Sequence, residues 1–187
     1  MRKGVLVLSL LGLVGLQNGC ATPPDSDLLF PQGNGAKLVT TGAQFDEMAG
    51  NSKKYLGHET MLAGAVVSID QTAEGYLVLA KWLAYPKTQA DKGPTVSQSD
   101  GNRHFLIRFV GKRKKEFYTT RGNLFLLEGK VEGTKKALVN IFGNEEDLLH
   151  VDAKCVHVWE TGEEDQVGSR ESDSEYGETR ERTICAD

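Results

Sequence analysis

The sequence is poor in the groups with which small enzymes do chemistry. It has four histidines, three cysteines and 7% aromatic residues. No Cys-x-x-Cys pair and no His-x-x-x-His spacing occurs, which removes the common thiol-redox and zinc patterns. Ser68, Ser97 and Ser99 lack the strand–elbow–helix context of a hydrolase nucleophile. The apolar run Gly4 to Leu16 is too short for a spanning helix, which needs about 20 residues. Few aromatics beside 21 glycines favour turn-punctuated β structure over a helix bundle.

What is present begins at the N-terminus. Arg2 and Lys3 precede the apolar run, and Gln17-Asn18-Gly19-Cys20 follows it. This order of basic, apolar and small residues is that of a secretory signal peptide. A small residue followed by Cys at the cleavage point is the bacterial lipoprotein pattern. Residues 1–19 are expected to be removed, and Cys20 is the expected lipidation site and first mature residue. Gln17 departs from the pattern, because an apolar residue is usual three positions before the cysteine. Ala21, which is not Asp, favours outer-membrane sorting. Thr22-Pro23-Pro24-Asp25-Ser26-Asp27 reads as a polar spacer.

The net charge is −4, unevenly spread. Residues 53–159 carry 16 basic and 12 acidic residues, whereas residues 160–187 carry three Arg and ten acids. The body is mildly basic and the tail strongly acidic. Nucleic acid is excluded as a partner on the expectation of export. With Cys20 acylated, Cys155 and Cys185 remain: either one disulfide in an oxidising compartment, or two free thiols.

Thr41 to Tyr55 holds the one helical candidate, with Thr41 as cap, Phe45 and Met48 on one side, and a break at Gly50-Asn51. Six short strands are expected after it: Thr60–Ile69, Tyr76–Tyr85, Arg103–Val110, Leu124–Val131, Ala137–Phe142 and Leu148–Trp159. Gly64 in mid-strand suggests a bulge or sharp bend. Alternation puts Val78, Ala80 and Trp82 on one face of the second strand, and Phe105, Ile107 and Phe109 on one face of the third. Turn signals every 10–15 residues mark a small barrel or sandwich. Residues 160–187 show no apolar period and are expected to be disordered except where Cys185 pins them.

Several candidate sites stand beside simpler readings. Period two puts Cys155 and His157 on one face and His150 on the other. Cys155 with His157 is either half a metal site or a disulfide cysteine beside a surface histidine. Glu145-Glu146-Asp147 is either a carboxylate site or a solvated turn. Lys112-Arg113-Lys114-Lys115 is either a contact for anionic lipid or cell-wall polymer, or an exposed hairpin tip. Tyr76, Trp82, Tyr85, Phe105, Phe109, Phe117, Tyr118 and Phe125 suit either a polymer-stacking face or the core. No metal ligand set, cofactor site or catalytic residue is assigned.

The order of several blocks resembles the Slp family of outer-membrane lipoproteins. Leu56-Gly57 leads to Gly64-Ala65-Val66-Val67, and the second strand ends in Tyr85-Pro86. Ser99-Asp100-Gly101-Asn102-Arg103-His104-Phe105 stands where the family has a Ser-x-Gly-Arg-Phe-like block. Tyr118 to Gly133 is similar to the family's Tyr-then-Gly strand, and Val158-Trp159 to its closing aromatic. The acidic tail with Cys185 is outside the pattern. The resemblance implies a lipid-anchored protein with an OB-like barrel and no established enzymatic activity.

The expected organisation is therefore all-β: a small OB-like antiparallel β-barrel with a short N-terminal helix and a disordered acidic C-terminal tail. The segments are a signal peptide (1–19), a lipidated tether (20–40), the barrel (41–159) and the tail (160–187). The expected role is that of a non-enzymatic envelope lipoprotein at the outer membrane. The alternative is a module that binds an envelope glycan or protein through the barrel face and the basic turn 112–115.

Overall fold

The computed structural model describes residues 35–85, 93–94, 101–110, 121–139, 143, 145–159, 161 and 181–186. The chain begins with a two-residue strand β1 (Lys37–Leu38), then helices α1 (Gly42–Gly50) and α2 (Ser52–Tyr55). Strands β2 (Glu59–Gln71), β3 (Gly75–Trp82), β4 (His104–Val110), β5 (Leu124–Leu138), β6 (Glu145–Trp159) and β7 (Glu181–Cys185) follow.

Local chemistry sets the helical entry. Thr41 Oγ1 accepts from the Gln44 N–H at 3.3 Å, while Gln44 Oε1 accepts from the Thr41 N–H at 3.2 Å. This reciprocal capping box satisfies donors that the first turn leaves unpaired. The Asn51 N–H closes α1 on the Glu47 carbonyl. Phe45 and Met48 form the buried side, and the Phe45 ring lies 5.6 Å from that of Trp82 and 5.9 Å from that of Phe105. The helix thus plugs one end of the barrel. Among the described residues, no helix is long and apolar enough to cross a membrane.

Hydrogen bonding runs in the order β2–β3–β4–β6–β5, and β5 returns to β2, closing a five-stranded barrel. The β4–β6 ladder is parallel, and the other four barrel ladders are antiparallel. This is the expected small OB-like barrel with a short helix before its first strand. Leu62, Val78, Ala80, Trp82, Phe105, Ile107, Phe109, Phe125 and Leu127 are buried together in its interior, so the alternation expected for β3 and β4 holds.

Two stretches differ from the sequence reading. Leu124–Val131 and Ala137–Phe142, expected as two strands about a Gly133–Lys136 turn, belong to a single strand as far as Leu138. Gly133 sits at a register irregularity, and residues 133–138 continue the ladder with β6. The pairing partner overrides the local turn signal. The tail also contributes structure: residues 181–185 form β7, antiparallel to β6.

Gly64 is explained by closure. Residues 59–65 of β2 pair with β5 and residues 64–71 pair with β3, so Gly64 faces both Phe125 and Trp82 in register. A Cβ there would lie 2.5 Å from the Lys81 carbonyl oxygen and 2.9 Å from Phe125 Cζ. The irregularity in the β2–β3 ladder lies further on, between Val66 and Ser68. Overpacking at such a site costs about 1–3 kcal/mol. We predict that Gly64→Ala lowers unfolding free energy by that amount in urea titrations; unchanged stability would mean that the strands separate easily at this point.

Candidate functional site

The side chains that carry unusual chemistry gather on the outside of β6. Leu149, Val151, Ala153, Val156 and Val158 belong to the interior core. The step from Ala153 to Val156 is three residues, because Cys155 opposes Glu128 and Ala153 opposes Gly129 while Lys154 is unpaired on that side. This β-bulge resets the alternation. His150 therefore lies on the same outward face as Cys155 and His157, contrary to the strict period-two expectation.

Cys155 and Cys185 are joined as a disulfide. Cys155 is thus unavailable as a thiolate ligand, and the Cys155–His157 metal reading is removed. Among the described residues, no group of three His, Cys, Asp or Glu is placed to hold a metal ion. His157 is buried at 4% exposure, not at the surface as the sequence suggested. Its Nδ1 lies 2.7 Å from Thr183 Oγ1 on β7. Its Nε2 is 3.4 Å from Glu181 Oε2, within ion-pair reach but without hydrogen-bond geometry. The imidazole meets the Trp159 ring edge-on at 4.4 Å. Burial pushes the His157 pKa below its ordinary value, against the opposing pull of Glu181.

Around this strand lies a second apolar cluster outside the barrel. Met61, Ala63, Tyr85, Leu126, Cys155 and Trp159 are buried in it, with Leu38 and Cys185 at its margin. Glu128 on β5 is buried at 1% exposure, with Lys154 Nζ 3.4 Å from its Oε1. A buried carboxylate needs such a partner, since an unpaired charge there is costly. Sequence reading missed Glu128. The available signal was an acid at an outward position between Leu126 and Lys130, but nothing local indicated that this outer face is covered.

Elsewhere on the outside, the guanidinium of Arg108 forms a fork on Asp152, with Nε donating to Oδ1 at 2.7 Å and Nη2 to Oδ2. Glu74 lies 3.8 Å from Arg108 Nη1. Arg103 makes a second fork on Asp46, at 2.7 Å for both arms, and lies over the Trp82 ring. It ties the start of β4 to α1 and holds the Asp46 carboxyl below its ordinary pKa. A cavity of about 150 Å³ lies between the helices and the start of β2, lined by Lys37, Glu47, Met48, Tyr55, His58 and Thr60 among others. Glu47 is engaged there, accepting from Tyr55 Oη at 2.6 Å and Lys54 Nζ at 2.9 Å.

The remaining expectations resolve as follows. Trp82, Phe105, Phe109 and Phe125 are interior, so they offer no face for stacking a polymer. Tyr85 is buried in the outer cluster and Tyr76 is half-buried. Glu145, Glu146 and Asp147 are exposed residues at the start of β6, paired with Leu138, Ala137 and Lys136, and do not form a turn. Ser68 is in mid-strand on β2. Cys20, Ser97, Ser99, Lys112, Arg113, Lys114, Lys115, Phe117 and Tyr118 lie outside the described residues.

Comparison with protein-family models, with curated proteins and with solved structures finds no match for this chain.

The histidines set a pH dependence. Burial lowers the pKa of His104, His150 and His157 from the ordinary 6.5. The unfolded chain therefore binds these protons at a higher pH than the native one. Stability is full above 6.5 and falls as the pH drops from 6.5 toward the native values. We predict a lower urea midpoint at about pH 5.5 than at about pH 7.5, the window that histidine titration spans. The pH effect should shrink in His157→Gln; an undiminished effect would assign it to other groups.

Proposed function

We propose that this chain is a non-enzymatic, lipid-anchored protein of the bacterial outer membrane, similar to the Slp lipoproteins. Cys20 is its anchor, and the barrel lies on the periplasmic side. The observation that carries this reading is the leader itself: a basic start, a short apolar run, and a small residue before Cys20. Two structural features support it. The barrel interior is filled by Trp82, Phe105, Phe109 and Phe125, leaving the protein's own side chains where a ligand-binding barrel has a lumen. A disulfide suits an exported protein, because thiols stay reduced in the cytosol. Such a protein serves by being placed, and contributes to envelope maintenance under starvation or stress.

A second reading concerns contact. Lys112-Arg113-Lys114-Lys115 puts four cations in succession on a tethered domain. Each adds about 1 kcal/mol of attraction close to an anionic surface. With Trp82, Phe105, Phe109 and Phe125 in the core, charge and not stacking carries the glycan- or lipid-binding alternative.

Both readings have direct tests. Metabolic labelling with palmitate in a bacterial host should mark the chain and should be lost in Cys20→Ala. Label retained in that variant, or absent from the parent, would remove the anchor. Reversing residues 112–115 to Glu should weaken binding to phosphatidylglycerol vesicles by more than about tenfold at low salt, since roughly 1 kcal/mol per charge is at stake. Equal binding would remove the contact at residues 112–115.

A further inference from the structure

The barrel closes without β7, which lies off the circuit and pairs with β6 alone. It occupies the edge of β6 beyond the reach of β4. The β4 ladder covers residues 149–152, and β7 covers residues 155–159. Ile184 packs on the main core and Cys185 on the outer cluster, both half-buried, while Glu181, Arg182 and Thr183 are exposed. Residues 160–180 separate the two strands in sequence.

The ladder has a defined alternation. The Ala186 N–H donates to the Lys154 carbonyl at 2.7 Å. In an antiparallel pair, hydrogen-bonded and non-hydrogen-bonded positions then alternate. The amides of Val156 and Val158 face β7, whereas those of Cys155 and His157 face β5. Cys155 and Cys185 form a non-hydrogen-bonded pair, the closer kind, with Cα atoms 3.9 Å apart.

The non-covalent hold on β7 is that of five residues paired on one edge of one strand. Every residue it orders loses backbone freedom. In return it gains one edge of hydrogen bonds, whose groups would otherwise bond water. To these it adds two half-buried side chains and the contacts of Thr183 and Glu181 with His157. The disulfide adds a covalent hold to these contacts, because it keeps Cys185 on its register partner.

We propose that the Cys155–Cys185 disulfide is the latch of a redox-operated strap: once it is reduced, β7 leaves β6 while the barrel stays closed. The chemistry is exchange with a dithiol reductant. One thiolate of the reductant attacks a protein sulfur and the S–S bond breaks, giving a mixed disulfide. The second thiol of the reductant then displaces that sulfur. Two electrons pass to the protein, Cys155 and Cys185 end as thiols after taking up two protons, and the reductant ends as its own disulfide. Opening uncovers the backbone of Val156 and Val158, the His157 imidazole and the flank of the outer apolar cluster. The proposal stands whether or not Cys20 is acylated.

The test is amide hydrogen exchange of the full chain in detergent micelles, followed residue by residue by NMR, first oxidised and then in dithiothreitol. Protection at Val156 and Val158 should fall by about tenfold or more on reduction, as for a locally opened segment. Ile107 and Leu127, paired within the barrel on both sides, should keep theirs. Cys185→Ser should reproduce the pattern without reductant. Unchanged protection at Val156 and Val158 in the reduced chain would overturn the proposal, because β7 would then hold itself. Equal loss at Ile107 and Leu127 would also overturn it, because the strand would then be part of the barrel's stability and not a strap.

Discussion

Closure of the barrel depends on one strand serving two neighbours at one point. Gly64 and Ala65 of β2 are in register with β5 on one side and with β3 on the other. Only a residue without a side chain fits at Gly64, since the Lys81 carbonyl and the Phe125 ring already occupy the space. Phe125 reaches inward through that gap to meet Phe105, with ring centroids 6.2 Å apart. Phe105 in turn meets Phe45 of α1, which caps the barrel end. A five-stranded sheet left open would expose two edges and the face that carries these rings. Closure removes both at once.

The second constraint is the bulge at Lys154 and Cys155. Without it, the outward set of His150 and Asp152 would continue through Lys154 and Val156, and Cys155 would point into the barrel. The extra residue turns Cys155, His157 and Trp159 outward instead, beside Leu126 and Glu128 of β5. The outside of the barrel thereby acquires an apolar layer of its own. A carboxylate, an imidazole and a disulfide are buried within it or beside it. This layer gives β7 a structural role, because Thr183 and Glu181 lie against His157, while Tyr85 and Gly93 lie against the Trp159 ring.

How much of this could be read from the sequence follows from where the determining contacts lie. β3 and β4 were legible because their alternation is strict and both face one core. The helix was legible from Thr41, Phe45, Met48 and the Gly50-Asn51 stop. β5 was broken in two because Gly133 and Lys135-Lys136 look like a hairpin turn, and only pairing with a distant partner keeps them extended. That His150 shares a face with Cys155 and His157 is not legible, because a bulge leaves no mark in an apolar pattern that stays nearly regular. β7 was hidden by its acidic surroundings, with Cys185 as its one legible residue. Among the rings that suggest a stacking face, Trp82, Phe105, Phe109 and Phe125 are large apolar groups that a small barrel takes into its core.

The two ends of the described chain meet on the same outer face. Leu38 on β1, brought alongside β2 by parallel pairing with Met61, packs at the margin of the outer cluster, as does Ala36 before it. Cys185 packs at another margin. The layer over Met61, Ala63, Leu126 and Trp159 therefore takes part of its cover from the segments entering and leaving the barrel, beside Tyr85 and Leu124. Leu38 from the start of the described chain and Cys185 from its end thus pack against one apolar cluster on the outside of the closed barrel.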